Sequence, residues 1–306
     1  MQTQVTPAPA RLPSFLEAPA ERIDVGHSRL AYRSCGSGPD LVLVHGWPLH
    51  AGTFRALLPA LAQHFTCHLL DLPGAGFTES RHDAPLDLAS HAVALRSAID
   101  QLCLGPYSLL AHDSGGAIAR LVAAEDPRVT RMVLGPTEIP GHHPALIAML
   151  QAVGKIPGAP ALLRRSMKWR WLRQSSLCFG SAFADPSRVE GEFFSLFLAP
   201  LFASWEAFRM QFRFLRNLDQ ALVDRMPDVH ARILAPTLLI WGDDDPTFPV
   251  AKARALPAQF GGDASFVSLP RSKTFVHEEQ PEAFLRHALP FLTQSTNGRT
   301  ARRSPG

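Results

Sequence analysis

Residues 107–118 read Y-S-L-L-A-H-D-S-G-G-A-I, and the reading of this stretch decides the fold. Its first five residues are an apolar run of the length of a buried strand. Gly115 and Gly116 then lead into a helical pattern, A-I-A-R-L-V-A-A-E. A strand that doubles back into a helix, with small residues on both sides of one reactive side chain, is a nucleophile elbow. Ala111 and Gly115 are the small flanks, because bulk there collides where the turn closes. Asp113 stands at the apex. The helix starting behind it aims free N–H groups and a positive dipole end at the turn, which favours a carboxylate or a developing oxyanion. The plain alternative is a strand-to-helix turn whose Asp only caps the helix. H-D-S-G-G alone leaves both open, so its neighbours must decide.

Upstream, residues 21–35 alternate as a hairpin with Gly26 and His27 near the turn. A buried-strand run at 41–44 delivers His45-Gly46-Trp47-Pro48 at its end. A helical pattern at 54–63 and a strand at 67–70 follow, and that strand runs into D-L-P-G-A-G-F. Residues 87–102 form an amphipathic helical pattern. Downstream, a strand at 129–134 ends in T-E-I-P-G-H-H-P. From about 145 to 226 the pattern changes to helices rich in Trp and Phe. Strands at 237–241 and 266–269, with helices from 250 and over 281–292, then restore the alternation. Such alternation predicts an α/β protein with a doubly wound, mostly parallel sheet. The helical block is expected to lie over the C-terminal edge of the strands, where these sheets bind ligands. The expected division is a first core part over 1–139, a helical cap over 140–225, a second core part over 226–294 and a disordered tail over 295–306. Residues 1–20, rich in Pro and Ala, are expected to form a loosely attached arm.

At 306 residues and 46% apolar content, the chain has ample core for this architecture. Its 30 Lys and Arg exceed its 27 Asp and Glu by three. Arg299, Arg302 and Arg303 of the tail account for that excess, so nothing marks a nucleic-acid footprint. Cys35, Cys67, Cys103 and Cys178 lie far apart without metal-ligand spacing and read as reduced thiols. No metal or other cofactor is expected. The N-terminus has neither a basic nor an apolar signal region, and no run of 18 apolar residues exists to span a membrane. The expectation is a soluble cytoplasmic protein acting on a small apolar or aromatic substrate, without nucleic-acid or membrane partners. Assembly as a homodimer stays open.

The order H-G-W-P, D-L-P-G-A-G, H-D-S-G-G, T-E-I-P-G-H, W-G-D-D-D-P and H-E-E-Q-P-E resembles that of α/β-hydrolase-fold proteins. The likeness is greatest to the aspartate-nucleophile branch, the epoxide hydrolases and the haloalkane or haloacid dehalogenases. It covers nearly the whole chain outside the cap, and it implies an α/β-hydrolase fold with the cap inserted after the sixth strand. In that branch a carboxylate attacks carbon to give an alkyl-enzyme ester, which a histidine-activated water hydrolyses. The resemblance assigns the nucleophile to Asp113 and the oxyanion N–H groups to Trp47 and Ser114. It places the acid that orients the histidine at Asp245, although three acids in a turn otherwise read as a solvated loop. Glu138, after the preceding core strand, is the reserve acid.

The histidine is where the chain departs from this pattern. Aligned through Phe275 and E-E-Q-P, the position of the base is Thr274, preceded by Lys273 where relatives carry glycine. Threonine has no pKa that serves a general base near neutral pH. His277, three residues on, is the replacement candidate; otherwise it packs or caps the last helix. His112, His142 and His143 are further imidazoles nearby. The cap also lacks the tyrosines that polarise an epoxide oxygen, since Tyr32 and Tyr107 both lie outside it. Ser114 stands where haloalkane dehalogenases commonly hold halide with Trp, leaving Trp205 or a basic cap side chain as substitute. Arg164, Arg165, Lys168, Arg170 and Arg173 surround two tryptophans, as a solvated amphipathic helix or as a dock for an acidic ligand. Three functions therefore stand: an epoxide hydrolase-like enzyme, a dehalogenase-like enzyme, or a biosynthetic or binding protein that has lost hydrolysis through Thr274.

Overall fold

The computed structural model describes residues 20–294, so the tail and all but the last residue of the arm lie outside the described residues. Strands β1 (Glu21–Asp24) and β2 (Ser28–Cys35) form the hairpin, whose turn is held by Asp24 accepting the Gly26 N–H at 2.7 Å. The sheet continues with β3 (Asp40–Val44), β4 (Thr66–Leu70), the two-residue β5 (Glu79–Ser80), β6 (Tyr107–Ala111), β7 (Val129–Leu134), β8 (Thr237–Gly242) and β9 (Ala264–Leu269). Its order is β1-β2-β4-β3-β6-β7-β8-β9, with β5 paired to β2 at the side. From β4 onward every neighbouring pair is parallel. The crossovers put helices on both faces, and β6 and β8 are buried along their whole length.

Alternate residues of each strand serve opposite faces. Leu41, Leu43, Leu110, Val133, Leu238 and Ile240 pack in one core with Phe284 and Ala288 of the last helix, Pro281–Leu292. Val42, Val44, Leu109, Met132, Leu134 and Trp241 face the other way. There they meet Leu95 and Ile99 of helix Leu88–Gln101 and Ala117 and Ile118 of helix Ser114–Ala123. The helix expected over 54–63 is instead a 3-10 turn, Ala51–Phe54, and one short helix, Leu58–Leu61. Pro59 explains the break: without an N–H it fits only the first turn of a helix.

The helical block follows β7, which is the sixth strand of the main path in chain order. Its longest members are Ala145–Val153, Ala159–Ser166 and Trp205–Arg216. The parallel strands deliver His45, Asp113, Glu138, Asp245 and Thr274 in the loops just past their C-terminal ends.

Candidate active site

The backbone at the elbow is strained. Asp113 has φ 50° and ψ −142°, a left-handed conformation that is costly for a residue with a Cβ. The backbone around it holds it there. Its N–H donates to the Pro136 carbonyl at 2.6 Å, and its carbonyl accepts the Gly116 N–H at 2.7 Å. Close approach from two sides requires glycine. A Cβ at Gly46 would lie 2.5 Å from that of Asp113, and one at Gly115 would lie 2.3 Å from the His45 carbonyl. The Asp113 side chain makes no helix-capping bond, so the plain alternative is not what this turn does.

Burial holds the Asp113 carboxyl well above the usual carboxylate range, and the neighbouring charges of Glu138 and Asp245 push the same way. The backbone N–H groups of Ser114 and Trp47 lie where they oppose that shift. Trp47 N–H also reaches Ser114 Oγ at 3.0 Å, which draws the two donor segments together.

Asp245 is buried at the end of β8, and one of its oxygens is well supplied. Oδ1 accepts the Thr247 N–H at 2.8 Å, the Phe248 N–H at 3.0 Å and the Thr274 hydroxyl at 2.9 Å. Oδ2 is buried without a partner among the described residues. Burial raises this carboxyl to about 7, against the lowering effect of those bonds. Thr274 is thus in direct contact with Asp245, but it brings no titrating nitrogen. The raised pKa has a thermodynamic consequence. The unfolded chain ionises Asp245 near its ordinary value, so the folded state loses stability relative to it as pH rises from about 4 to 7. We expect the melting temperature of Asp245→Asn, minus that of the unaltered protein, to climb between pH 5 and 8. Paired thermal melts check this, and a constant difference would contradict a carboxyl raised by burial.

Glu138 lies close enough to raise Asp113, and its own carboxyl is raised by burial. The Thr137 hydroxyl lies 2.8 Å from both Glu138 Oε2 and the Asp113 carbonyl. Arg120 joins this group, donating to Thr137 Oγ1 at 2.9 Å and to the Glu138 carbonyl at 3.0 Å. Sequence reading missed Thr137 and Arg120. The available signal was an arginine inside the apolar helix behind the elbow, where it is fully buried.

The imidazoles are elsewhere. For His277 the placement runs against the expected role of base: its Nε2 lies 2.8 Å from Thr53 Oγ1, and its Nδ1 is buried without a partner. Burial, reinforced by Arg55, lowers its pKa to about 3. His112 packs against it at a tilt, with ring centroids 4.1 Å apart, in a layer that includes Phe54 and Phe275. His142 contacts the Thr247 carbonyl at 2.8 Å and His143 the Asp224 carboxylate at 3.2 Å.

Above Asp113 is a cavity of about 300 Å³. Asp113, Thr274 and Thr247 lie in its lining, with Trp47, Cys178, Ser181 and Gln211 as the other residues bearing a polar group or thiol. Leu, Ile, Met and Phe from the helical block form most of the remaining wall. Neither His nor Tyr lines it among the described residues. The Trp47 indole N–H is already donated to the Gln211 carbonyl at 3.0 Å, and Trp205 is half exposed outside the lining. Tyr32 and Tyr107 bond to His68 and Asp126. Among the described residues no cluster of His, Cys, Asp and Glu is disposed to hold a metal, and no helix is long and apolar enough to cross a membrane.

The chain has relatives. Haloalkane dehalogenase 2 of Mycobacterium tuberculosis is 28% identical over 262 residues, which cover 85% of this chain and 90% of that protein. Two solved structures share the fold: wild-type Cfl2 from Burkholderia cenocepacia and a ligand-free epoxide hydrolase, CorEH. The first has a TM-score of 0.76 at 22% identity, covering 89% of this chain and 95% of that one. The second has a TM-score of 0.73 at 20% identity, covering 89% and 97%. The profile of the alpha/beta hydrolase family matches residues 41–287. Strand order, elbow and profile agree, and the chain belongs to the alpha/beta hydrolase family.

Proposed function

We propose that the protein is an epoxide hydrolase-like enzyme in which Asp113 forms an alkyl-enzyme ester with an apolar or aromatic small molecule. The observation that carries this is a carboxylate, rather than a hydroxyl or thiol, at the apex of the elbow beneath an apolar cavity. A carboxylate oxygen attacks the less hindered epoxide carbon, the C–O bond breaks, and the alkoxide takes a proton from water. Hydrolysis then requires water to add to the ester carbonyl, with the oxyanion received by the N–H groups of Trp47 and Ser114. That step lacks its base, because Thr274 occupies the position and His277 is engaged with Thr53. Asp245 is the acid member on this reading, and Glu138 supports the elbow. The helices between β7 and β8 act as the lid.

A dehalogenase-like reaction is favoured by the mycobacterial relative and uses the same attack, with halide as leaving group. Against it, the Trp47 indole is occupied and Ser114 follows the nucleophile. The non-hydrolytic alternative draws on the absence of a cavity-lining base. Ligand panels separate the substrate classes. With Asp113→Asn, which binds but does not react, styrene-oxide-like epoxides and their bromide analogues should raise the melting temperature, whereas small haloacids should not. Stabilisation by haloacids alone would refute the apolar assignment.

A further inference from the structure

Between Pro144 and Asp185 the chain carries six basic residues, Lys155, Arg164, Arg165, Lys168, Arg170 and Arg173, and no acid. Two of them are used internally. Arg173 is buried in a two-pronged pair with Glu190, and Arg164 donates to the Phe202 carbonyl while lying over the Trp205 ring. Lys155, Arg165, Lys168 and Arg170 are exposed, and none forms an ion pair among the described residues. Large apolar side chains stand among them. Ile156, Leu162, Trp169, Trp171 and Leu177 are between 49% and 69% exposed, and the two indoles stack at 6.1 Å. Exposed apolar side chains gathered in one segment among polar ones mark an interaction surface.

The inner side of the same segment walls the cavity through Leu163, Met167 and Leu172. Leu177 belongs to both, lining the cavity and standing 67% exposed. The patch and the cavity wall therefore meet at Leu177.

We propose that the outer face of residues 156–177 seats on an anionic lipid surface, from which the cavity takes its apolar ligand. Basic side chains interleaved with Trp and Leu on one face are what an interfacial segment uses. The indoles sit at headgroup depth, the aliphatic groups enter the acyl boundary, and the cations meet anionic headgroups. An acidic protein would satisfy the charges. Yet the exposed indoles and aliphatic side chains call for insertion as well as charge, and the cavity beneath suits a ligand that partitions into lipid. The inference does not depend on which reaction Asp113 performs.

Sedimentation of the full chain with vesicles tests it. The protein should pellet with phosphatidylcholine vesicles containing phosphatidylglycerol, remain free of pure phosphatidylcholine vesicles, and show blue-shifted Trp emission when bound. Screening shortens to about 3 Å at 1 M salt, so high salt should release it. Each basic residue near such a surface is worth about fivefold in binding, so R165A/K168A/R170A should bind roughly 100-fold more weakly at an unchanged melting temperature. W169A/W171A should lose most of the emission shift. Failure to bind anionic vesicles, or equal binding by the triple variant, overturns the proposal. Salt-sensitive binding to polyglutamate without vesicle binding also overturns it and reassigns the patch to an acidic protein.

Discussion

Incubated with a reactive apolar epoxide or alkyl bromide, the intact protein should gain one substrate mass, located on a peptide containing Asp113. Attack needs only an ionised Asp113 and an aligned leaving group, whereas release needs a base to deprotonate water. Positioned general-base catalysis contributes about 10²- to 10⁴-fold, so its loss slows the second step far more than the first and the ester accumulates. The sign of the pH effect follows from Asp113. Its carboxyl is held above the usual range, chiefly by burial, so the ionised fraction and the labelling rate should rise with pH until that raised pKa is passed. Asp113→Asn should remove the adduct entirely. Rapid multiple turnover by the unaltered chain, abolished by His277→Gln, would instead make His277 the base.

Thr274→His should convert this trap into a catalyst. The Thr274 hydroxyl already lies 2.9 Å from Asp245 Oδ1, and Asp245 Oδ2 is a buried acceptor without a donor. An imidazole at 274 has that oxygen available to orient one ring nitrogen while the other faces the cavity above Asp113. Turnover should increase by about 10²- to 10⁴-fold. Asp245→Asn in the same background should lose most of the gain, since a neutral amide no longer stabilises an imidazolium. Steady-state product formation and decay of the pre-formed adduct measure both effects. If the histidine variant still accumulates ester at the original rate, the missing base is not what limits hydrolysis.

The sheet was legible because period-2 and period-3.6 patterns alternate along the chain and because parallel strands buried on both faces read as mainly apolar runs, as in Tyr107–Ala111 and Thr237–Gly242. The elbow was legible because sterics leave few residues that fit around a strained apex, and Gly115 is one of them. Long-range partners were not. Nothing within H-E-E-Q-P records that His277 meets Thr53, which lies 224 positions away in sequence. The break at Pro59 was available locally and was outweighed by the apolar spacing around it. Arg120 illustrates a different limit, since an arginine at a helical position ordinarily reads as solvated, yet here Gly116, Thr137, Glu138 and His230 surround it.

The loop after β9 is fastened at several points. Lys273 N–H donates to Glu279 Oε2 at 2.7 Å, the other oxygen of Glu279 takes the Ala184 N–H at 2.6 Å, and Ser272 bonds back to Leu269. Asp244 N–H reaches the Ser272 carbonyl at 3.0 Å, and Gly242 lets the Ser272 and Lys273 carbonyls approach where a Cβ would stand 2.5 Å away. Position 274 is thus a fixed socket, whose location owes little to the side chain in it. On the proposed chemistry, one codon separates a single-use scavenger of electrophiles from an enzyme with many cycles, and the scaffold around it can stay the same across that change.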